Sequence, residues 1–395
     1  MYQSLCILGR QPFIGLAELE SLFGPDKIRS LEGAALLEID ASLVPFARLG
    51  GTVKLAKVLM HLDTTKWAEI EHHLAQIVLD RAKQFPDGKL KMGLSVYGLT
   101  NITPKMLERT GLSLKKLLVK AGRSTRLVPN IDLALSSAQV IHNNLVGQLG
   151  WEMILIKDGG KVILAQTTTV QDIAAYAARD QARPKRDARV GMLPPKLAQT
   201  IINLAVPGFR IPNSEFRILD PFCGTGVILQ EALLMGYSVI GTDIEPRLIE
   251  YSAANLKWLS AKYQIPKAKY SLEVGDATKN TWPAPIGAVA SETYLGQPLS
   301  ALPPKDQLDK IVNFADKLHA NFLKNIRPQL KTDARLCLAI PAWKLASGFR
   351  HLPCIDHLGE LGYTRLSFTR VRNEDLIYHR EGQIVARELL VAIRV

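Results

Sequence analysis

The segment Ile218-Leu219-Asp220-Pro221-Phe222-Cys223-Gly224-Thr225-Gly226-Val227 constrains this chain more than any other stretch of its 395 residues. An apolar run ends in a carboxylate, a Gly-x-Gly turn follows, and Val227–Met235 then has helical character. The pattern is strand, tight turn, helix. Glycines at such a turn let the backbone approach a ligand closely at the carboxyl end of a strand, where open α/β sheets bind their ligands. A Gly-x-Gly turn alone is weak, since many strand–helix turns carry glycine for steric reasons only. Two further strand ends strengthen it. Ser238–Asp243 ends in an acid about 20 residues on, where a ribose-binding carboxylate belongs, with Ile244 next. A third strand, Tyr270–Val274, leads into Gly275-Asp276-Ala277, and a carboxylate there can accept from an adenine amino group.

The competing ligands fit less well. A dinucleotide site expects G-x-G-x-x-G, and Leu229 stands where the third glycine belongs; no Gly-Lys-Ser/Thr follows, so a P-loop is excluded. Asp220 just before the turn repels a pyrophosphate but attracts the amino group and sulfonium of S-adenosylmethionine.

Around this segment the chain divides into three parts. Residues 1–60 mix a short strand (Tyr2–Leu8), a helix with Leu16, Leu19 and Leu22 at helical spacing, and apolar stretches at Ala34–Ile39 and Thr52–Leu59: a small α+β part. Residues 61–168 carry helices at Trp67–Phe85, Thr103–Ala121 and Ser136–Leu149 and strands at Lys91–Val96 and Arg126–Val128. They end in a hairpin across Asp158-Gly159-Gly160. Residues 169–395 alternate strands (Arg217–Phe222, Ser238–Asp243, Tyr270–Val274, Ala288–Ser291, Arg335–Ile340) with helices, which implies a parallel doubly wound α/β sheet. Arg365–Val371 and Ile384–Val395 follow without a helix between them and suggest an antiparallel closing hairpin.

Charge adds a partner class. Lys and Arg number 49 against 37 Asp and Glu, a formal net charge of +12, which favours polyanions. Lys105, Arg109, Lys115, Lys116, Lys120, Arg123 and Arg126 gather in and just after one helix. Arg179, Arg183, Lys185, Arg186 and Arg189 form a second cluster beside the cofactor segment. Such clusters neutralise phosphates, or they are simply solvated helix faces. No run of about 18 apolar residues is present, so no membrane span is expected. Cys6, Cys223, Cys337 and Cys354 are scattered, His142 and His379 lack ligand partners, and neither a disulfide framework nor a metal site is expected. A cytoplasmic setting follows as the default. The sequence leaves the oligomeric state open.

The turn Asp220-Pro221-Phe222-Cys223-Gly224-Thr225-Gly226 resembles the first motif of class I amino-methyltransferases. Upstream, Tyr176, Arg179-Asp180, Arg183-Pro184 and Gly191-Met192-Leu193-Pro194-Pro195-Lys196-Leu197-Ala198 resemble the segment before that motif in THUMP-domain tRNA guanosine-N2-methyltransferases, among them the archaeal and eukaryotic enzymes that modify guanosine 10 of tRNA. The resemblance implies a Rossmann-like methyltransferase domain preceded by ferredoxin-like and THUMP domains, S-adenosyl-L-methionine as cofactor and tRNA as partner. It implies that Tyr176, Arg179, Asp180 and Pro194 help cover the methionine end of the cofactor. A basic linker with a Pro-Pro helix start is the plainer reading of that segment. Leu135–Leu145 resembles the corresponding THUMP helix, and Leu8–Pro12 with Leu16-Ala17-Glu18-Leu19 resembles the ferredoxin-like domain. A Tyr-His pair like Tyr378-His379 also occurs in the family, although hairpin turn chemistry explains that region equally well.

The catalytic loop departs from the pattern. These enzymes carry an acid or amide, two prolines and an aromatic after the fourth strand, which orient the exocyclic amine and stack on the base. Here the loop is Ser291-Glu292-Thr293-Tyr294-Leu295-Gly296, without the prolines. Glu292 replaces the acid; a gapless alignment puts Leu295 at the aromatic position, and a slip of one residue puts Tyr294 there. Ser291, Glu292 and Tyr294 are the candidate catalytic residues. Three alternatives stay open: methylation of another RNA or DNA amine, a silent RNA-binding protein, and, as a poor third, a nucleotide-dependent oxidoreductase.

Overall fold

The computed structural model describes residues 2–187, 192–209, 216–265 and 269–395; Arg189 and Gly191 lie outside the described residues. The chain forms two compact units. One comprises Met1–Pro12, Asp26–Ala47 and Thr52–Ile173, the other Phe13–Pro25, Arg48–Gly51 and Ala174–Val395.

The first unit is built on β1 (Ser4–Leu8), β2 (Ile28–Leu31), β3 (Ala34–Leu37), β4 (Thr52–Leu62), β5 (Leu90–Tyr97), β6 (Thr125–Leu127), β7 (Gly150–Asp158) and β8 (Lys161–Val170). They make one sheet in the order β2-β3-β1-β4-β8-β7-β5-β6. The helix α1 (Pro12–Phe23) follows β1 in the chain but clusters with the second unit. The helices α2 (Trp67–Ala82), α3 (Pro104–Lys120) and α4 (Ser137–His142) belong to the first. Ile70, Leu74 and Val78 of α2 recur every fourth residue and bury one stripe, with Leu107, Leu114 and Leu118 of α3, around Leu94, Trp151 and Leu164 of the sheet.

A boundary near residue 60 falls inside β4, which pairs with β1 on one side and β8 on the other. One sheet therefore runs through residues expected to form two parts. The helix expected over Ser136–Leu149 stops at His142: Asn144 takes φ +53, and the Leu145 amide donates back to the Val140 carbonyl at 2.9 Å. The hairpin forms as expected, with Asp158 opposite Lys161 and Gly159 at φ +59. Under this sheet Glu152 accepts from Lys54, Ser95 and Thr167, and Lys54 also donates to the Leu135 carbonyl at 2.6 Å. A buried lysine is tolerable there because the carboxylate and a carbonyl replace its water.

The second unit is a Rossmann-like α/β domain. Its strands are β9 (Arg217–Asp220), β10 (Ser238–Asp243), β11 (Tyr270–Val274), β12 (Ala288–Glu292), β13 (Arg335–Leu345), β14 (Gly348–Arg350), β15 (Tyr363–Arg365), β16 (Ile377–Tyr378) and β17 (Val385–Arg394). The main order is β11-β10-β9-β12-β13-β17-β15, with β14 on β13 and β16 on β17. From β11 to β13 the strands are parallel, and β17 is antiparallel to β13. The order steps outward from β9 one way and from β12 the other, so a crevice opens at their carboxyl ends. Around the sheet lie α5 (Ile173–Gln181), α6 (Pro195–Ala205), α7 (Val227–Leu234), α8 (Pro246–Lys262), α9 (Lys305–Ile326) and α10 (Leu358–Leu361). Leu219, Val289 and Leu338 of the sheet pack on Val312, Phe322 and Leu323 of α9.

The strand expected over Arg365–Val371 ends at Arg365. The amides of Thr369 and Arg370 donate instead to the Glu20 carboxylate of α1, at 2.5 and 2.9 Å, which takes this backbone out of the sheet. Among the described residues no helix is long and apolar enough to cross a membrane.

Candidate active site

At the carboxyl ends of β9, β10 and β12 lies a cavity of about 560 Å³, walled by the 220–225 turn, residues 243–245, 275–278 and 292–297, and Leu193. Its floor follows from the turn after β9. Gly226 adopts φ +84 as the residue capping α7, and a Cβ there would meet the Ser252 hydroxyl at 2.9 Å. Gly224 has φ +52, and nothing lies within 4 Å of where its Cβ would stand, so the backbone there faces open space. Behind the turn, Ser252 Oγ donates to the Gly224 carbonyl at 2.8 Å and Asn255 Nδ2 to the Thr225 carbonyl at 2.8 Å. Asn255 also exchanges two 2.9 Å bonds with the backbone of Lys185, tying the basic segment to the turn. These α8 residues carried no signal in the sequence, where they read as ordinary polar helix positions.

The three strand-end acids line the cavity. Asp220 is buried, and burial pushes its carboxyl up to about 8 against the opposing bonds from Ser291 Oγ (2.6 Å) and the Phe222 amide (3.3 Å). Nearby Asp243 and Glu292 raise it further. Asp243 Oδ2 accepts from the Gly224 amide at 2.9 Å and Oδ1 from the Glu245 amide at 3.0 Å; burial still holds its carboxyl above the usual range. Asp276 is more open, and the Thr278 hydroxyl and amide hold its carboxyl low. Pro221, Phe222, Cys223, Thr225, Ile244 and Ala277 line the same space. The Cys223 thiol is pushed well up by burial, so it contributes packing rather than a nucleophile.

At the end of β12, Glu292 and Tyr294 reach the cavity, as does Leu295. Tyr294 meets Phe314 of α9 edge-on at 6.0 Å between ring centroids. Glu292 is not a free acid: its Oε1 accepts from Nε of Arg387 on β17. Burial raises the Glu292 carboxyl and Arg387 opposes that rise. Thr293 is buried and its hydroxyl lies 2.7 Å from His319 Nε2; His319 Nδ1 lies 2.7 Å from the Ala315 carbonyl. Burial lowers His319 to about 4, so at neutral pH the ring is uncharged, with Nδ1–H donating and Nε2 accepting from Thr293. Ser291 is placed otherwise than expected. It is fully buried, does not line the cavity, and acts through its bond to Asp220.

The segment upstream of the turn also differs from the expectation. Tyr176, Arg179, Asp180 and Pro194 do not line the cavity, although Leu193 does. Arg179 Nε donates to Glu231 of α7 at 2.7 Å, Gln199 donates to the other Glu231 oxygen at 3.0 Å, and Tyr176 donates to Gln199 at 2.7 Å. The Arg179 guanidinium lies over the Tyr176 ring at 4.6 Å. These residues brace the helix that the glycine turn caps, because a buried Glu231 needs that pairing.

Of the basic residues, Lys105, Arg109, Lys116, Lys120 and Arg126 are exposed on or beside α3 and Lys115 is half-buried. Arg123 is held by the Pro86 carbonyl. Lys185 and Arg186 are exposed, whereas Arg183 is 4% exposed and turned inward, so it is not available to a phosphate in this conformation. Among the described residues no group of three or more His, Cys, Asp or Glu is placed to hold a metal ion.

Glycine turn, three strand-end acids and sheet order together define a Rossmann-like methyltransferase domain. Residues 183–279, which carry all three acids, match the family model described as RMKL-like, methyltransferase domain. A tRNA (guanine(10)-N2)-dimethyltransferase of Methanothermobacter thermautotrophicus is 32% identical over 164 residues, 41% of this chain and 43% of that protein. The chain thus matches less than half the length of this curated relative. The crystal structure of TrmN from Thermus thermophilus superposes with a TM-score of 0.55 at 15% identity, covering 100% of this chain and 99% of that one. SMU.472, a putative methyltransferase complexed with SAH, gives a TM-score of 0.53 at 12% identity over 100% of this chain and 98% of that one. At those identities the two structures speak to the fold.

Proposed function

We propose that this protein is an S-adenosylmethionine-dependent tRNA methyltransferase that modifies N2 of a guanosine. The observation that carries the reading is one cavity walled by the Asp220–Thr225 turn, Asp243 and Asp276 on one side and by Glu292 and Tyr294 on the other. The names of the relatives supply the substrate class.

The residues fit the cofactor. Asp243 and Glu292 crowd Asp220 and raise its titration, so a cationic ligand that draws out the Asp220 proton and relieves that crowding suits the cavity, while a pyrophosphate would add to it. Asp220 holds the ammonium end, the glycine turn admits the backbone close to it, and Asp243 and Asp276 face the ribose and adenine. When bound, S-adenosylmethionine supplies an electrophilic methyl on a sulfonium. The chain's task is then positioning, since the guanine amine is a poor nucleophile until its lone pair is turned toward that methyl. Glu292 accepts from the amine through the carboxylate oxygen that Arg387 does not occupy, and Tyr294 stacks on the base. Water is the final acceptor of the released proton.

In the same proposal, a THUMP-like role falls to the first unit, whose α3 lysines meet phosphates, and Lys185 and Arg186 meet them beside the cofactor turn. The target base leaves its stack to reach the cavity. The setting is the cytoplasm, where four buried cysteines outside any disulfide are at home.

Incubation with tRNA lacking modifications and S-adenosylmethionine bearing a deuterated methyl, followed by mass spectrometry of the nucleosides, tests the reading. Labelled N2-methylguanosine is expected. Label on another base would move the substrate; none at all, with cofactor binding intact, would leave a silent RNA-binding protein.

A further inference from the structure

The loop after β12 lacks the prolines that stiffen it in similar enzymes, yet Glu292 is firmly placed. Its carboxylate is anchored from two strands away. Glu292 pairs in register with Ala339 of β13, and Ala339 with Leu389 of β17. Arg387 lies two residues from Leu389, opposite Pro341, and so returns to the same face of the sheet one step closer to the carboxyl ends. Two strand spacings, roughly 10 Å, separate β12 from β17. Arg387 and Glu292 meet across that span, and the residue between them in the register, Ala339, is small.

Arg387 is itself held. It is 7% exposed, pairs in register with Tyr378 of β16, and its guanidinium carbon lies 6.0 Å from the Tyr378 ring centroid. Arg380 approaches the same ring at 5.8 Å. Among the described residues Glu292 Oε1 accepts from Arg387 Nε and no donor reaches Oε2, while Glu292 lines the cavity. One carboxylate oxygen is fixed, and the other is left for a ligand.

We infer that Arg387 is the positioning residue of the transfer step, holding the Glu292 carboxylate so that its second oxygen meets the target amine. The inference rests on the proposed function for its chemistry and on the sheet register for its geometry. The charged groups around Glu292 are Arg387 and Arg380 on the β16–β17 side and Asp220 at the end of β9; His319 behind the loop is neutral. Arg387 favours the ionised carboxylate, so its loss moves the Glu292 titration upward.

The test uses full-length protein, Arg387→Gln and Arg387→Lys, with glutamate labelled at the carboxyl carbon and Glu292→Gln to assign the resonance. The Glu292 midpoint is expected to rise in Arg387→Gln and to return in Arg387→Lys. A midpoint that stays put in Arg387→Gln overturns the inference, whatever the substrate is. On tRNA, kcat is expected to fall about 10²-fold in Arg387→Gln, the scale of a misplaced reacting group, with KM for the cofactor unchanged. The acid limb of the kcat profile moves up, and Arg387→Lys recovers most of the rate. Equal losses in both variants with an unmoved limb would reduce Arg387 to a folding role and overturn the inference. A wild-type protein that transfers no methyl to tRNA defeats the proposed function instead, and the carboxyl titration still decides the ion pair.

Discussion

Ser291 Oγ donates to Asp220 Oδ1 across 2.6 Å inside the sheet, joining the fourth strand of the parallel set to the acid that opens the glycine turn. Among the described residues it is the one side-chain hydrogen bond that favours the ionised Asp220, whose carboxyl burial has pushed up to about 8. At neutral pH the cavity without ligand therefore holds mostly a protonated Asp220, and a cationic ligand must expel that proton. S-adenosylmethionine affinity is expected to rise between about pH 6 and pH 8 and then level off. Calorimetry in two buffers of different ionisation enthalpy should record proton release at the lower end. Ser291→Ala removes a hydrogen bond to a charged group, about 2 kcal/mol, and is expected to weaken binding at neutral pH. An affinity flat across that range, with no proton release, would refute this account.

Tyr294 stands in the cavity wall with its ring edge against Phe314, which is 61% exposed. If Tyr294 stacks on the target base, Tyr294→Ala should raise KM for tRNA by about tenfold to a hundredfold, the equivalent of one lost stack. Tyr294→Phe should retain most of the affinity. Equal effects of the two substitutions would point to the hydroxyl and away from stacking.

Arg179 and Tyr176 brace α7 through Glu231 and Gln199, and the structure keeps both off the cavity wall. Arg179→Met strands a buried carboxyl whose titration burial already pushes up to about 7. A loss of about 3–5 kcal/mol in unfolding free energy is expected, and about 1 kcal/mol for Tyr176→Phe. Cofactor affinity of the folded Tyr176→Phe protein should match wild type. A specific loss of affinity with no loss of stability would restore the cofactor-covering role implied by the family resemblance.

Lys116 and Lys120 are exposed on α3, and Lys115 is half-buried beside them. The triple replacement Lys115→Glu, Lys116→Glu and Lys120→Glu is expected to weaken tRNA binding and to lower the slope of log affinity against log salt by up to about 2.7. Filter binding across a salt series measures both. Unchanged affinity and slope would make this helix a solvated face and nothing more.

How far the sequence carried depends on the range of the interaction involved. β10 and β11 ran as expected from Ser238 to Asp243 and from Tyr270 to Val274, because an apolar run closed by an acid and a strand-forming stretch that stops at Gly275-Asp276 are local signals. Asp220, Asp243 and Asp276 came together because the doubly wound topology delivers successive strand ends to one crevice. Arg387 was not legible: it sits 95 residues from Glu292, and only the β12–β13–β17 register brings the two together. The pairing of Arg179 was hidden for a related reason. A basic residue beside a cofactor motif looks ligand-facing until Glu231, 52 residues on, is seen to claim it. Residues 1–60 looked separate because strand pairing between β4 and β8 leaves no mark in either segment alone.

His319 gives the sharpest pH prediction. It lies in α9, donates from Nδ1 toward the Ala315 carbonyl, and accepts from the Thr293 hydroxyl in the loop after β12. Burial lowers its folded-state titration to about 4, from 6.5 for a free imidazole. Between those values the unfolded chain binds a proton that the folded chain does not, so stability is lost as pH falls through the window. The shift corresponds to roughly 3 kcal/mol between neutral pH and about pH 4. His319→Gln keeps an acceptor for Thr293 and removes the titration. Denaturant unfolding of both proteins at neutral pH and near pH 4.5 isolates the difference from every other group that titrates there. Wild type should lose more stability than the variant on acidification. Identical losses would mean that the imidazole can charge in place, and that the Thr293 anchor is looser than its 2.7 Å contact implies.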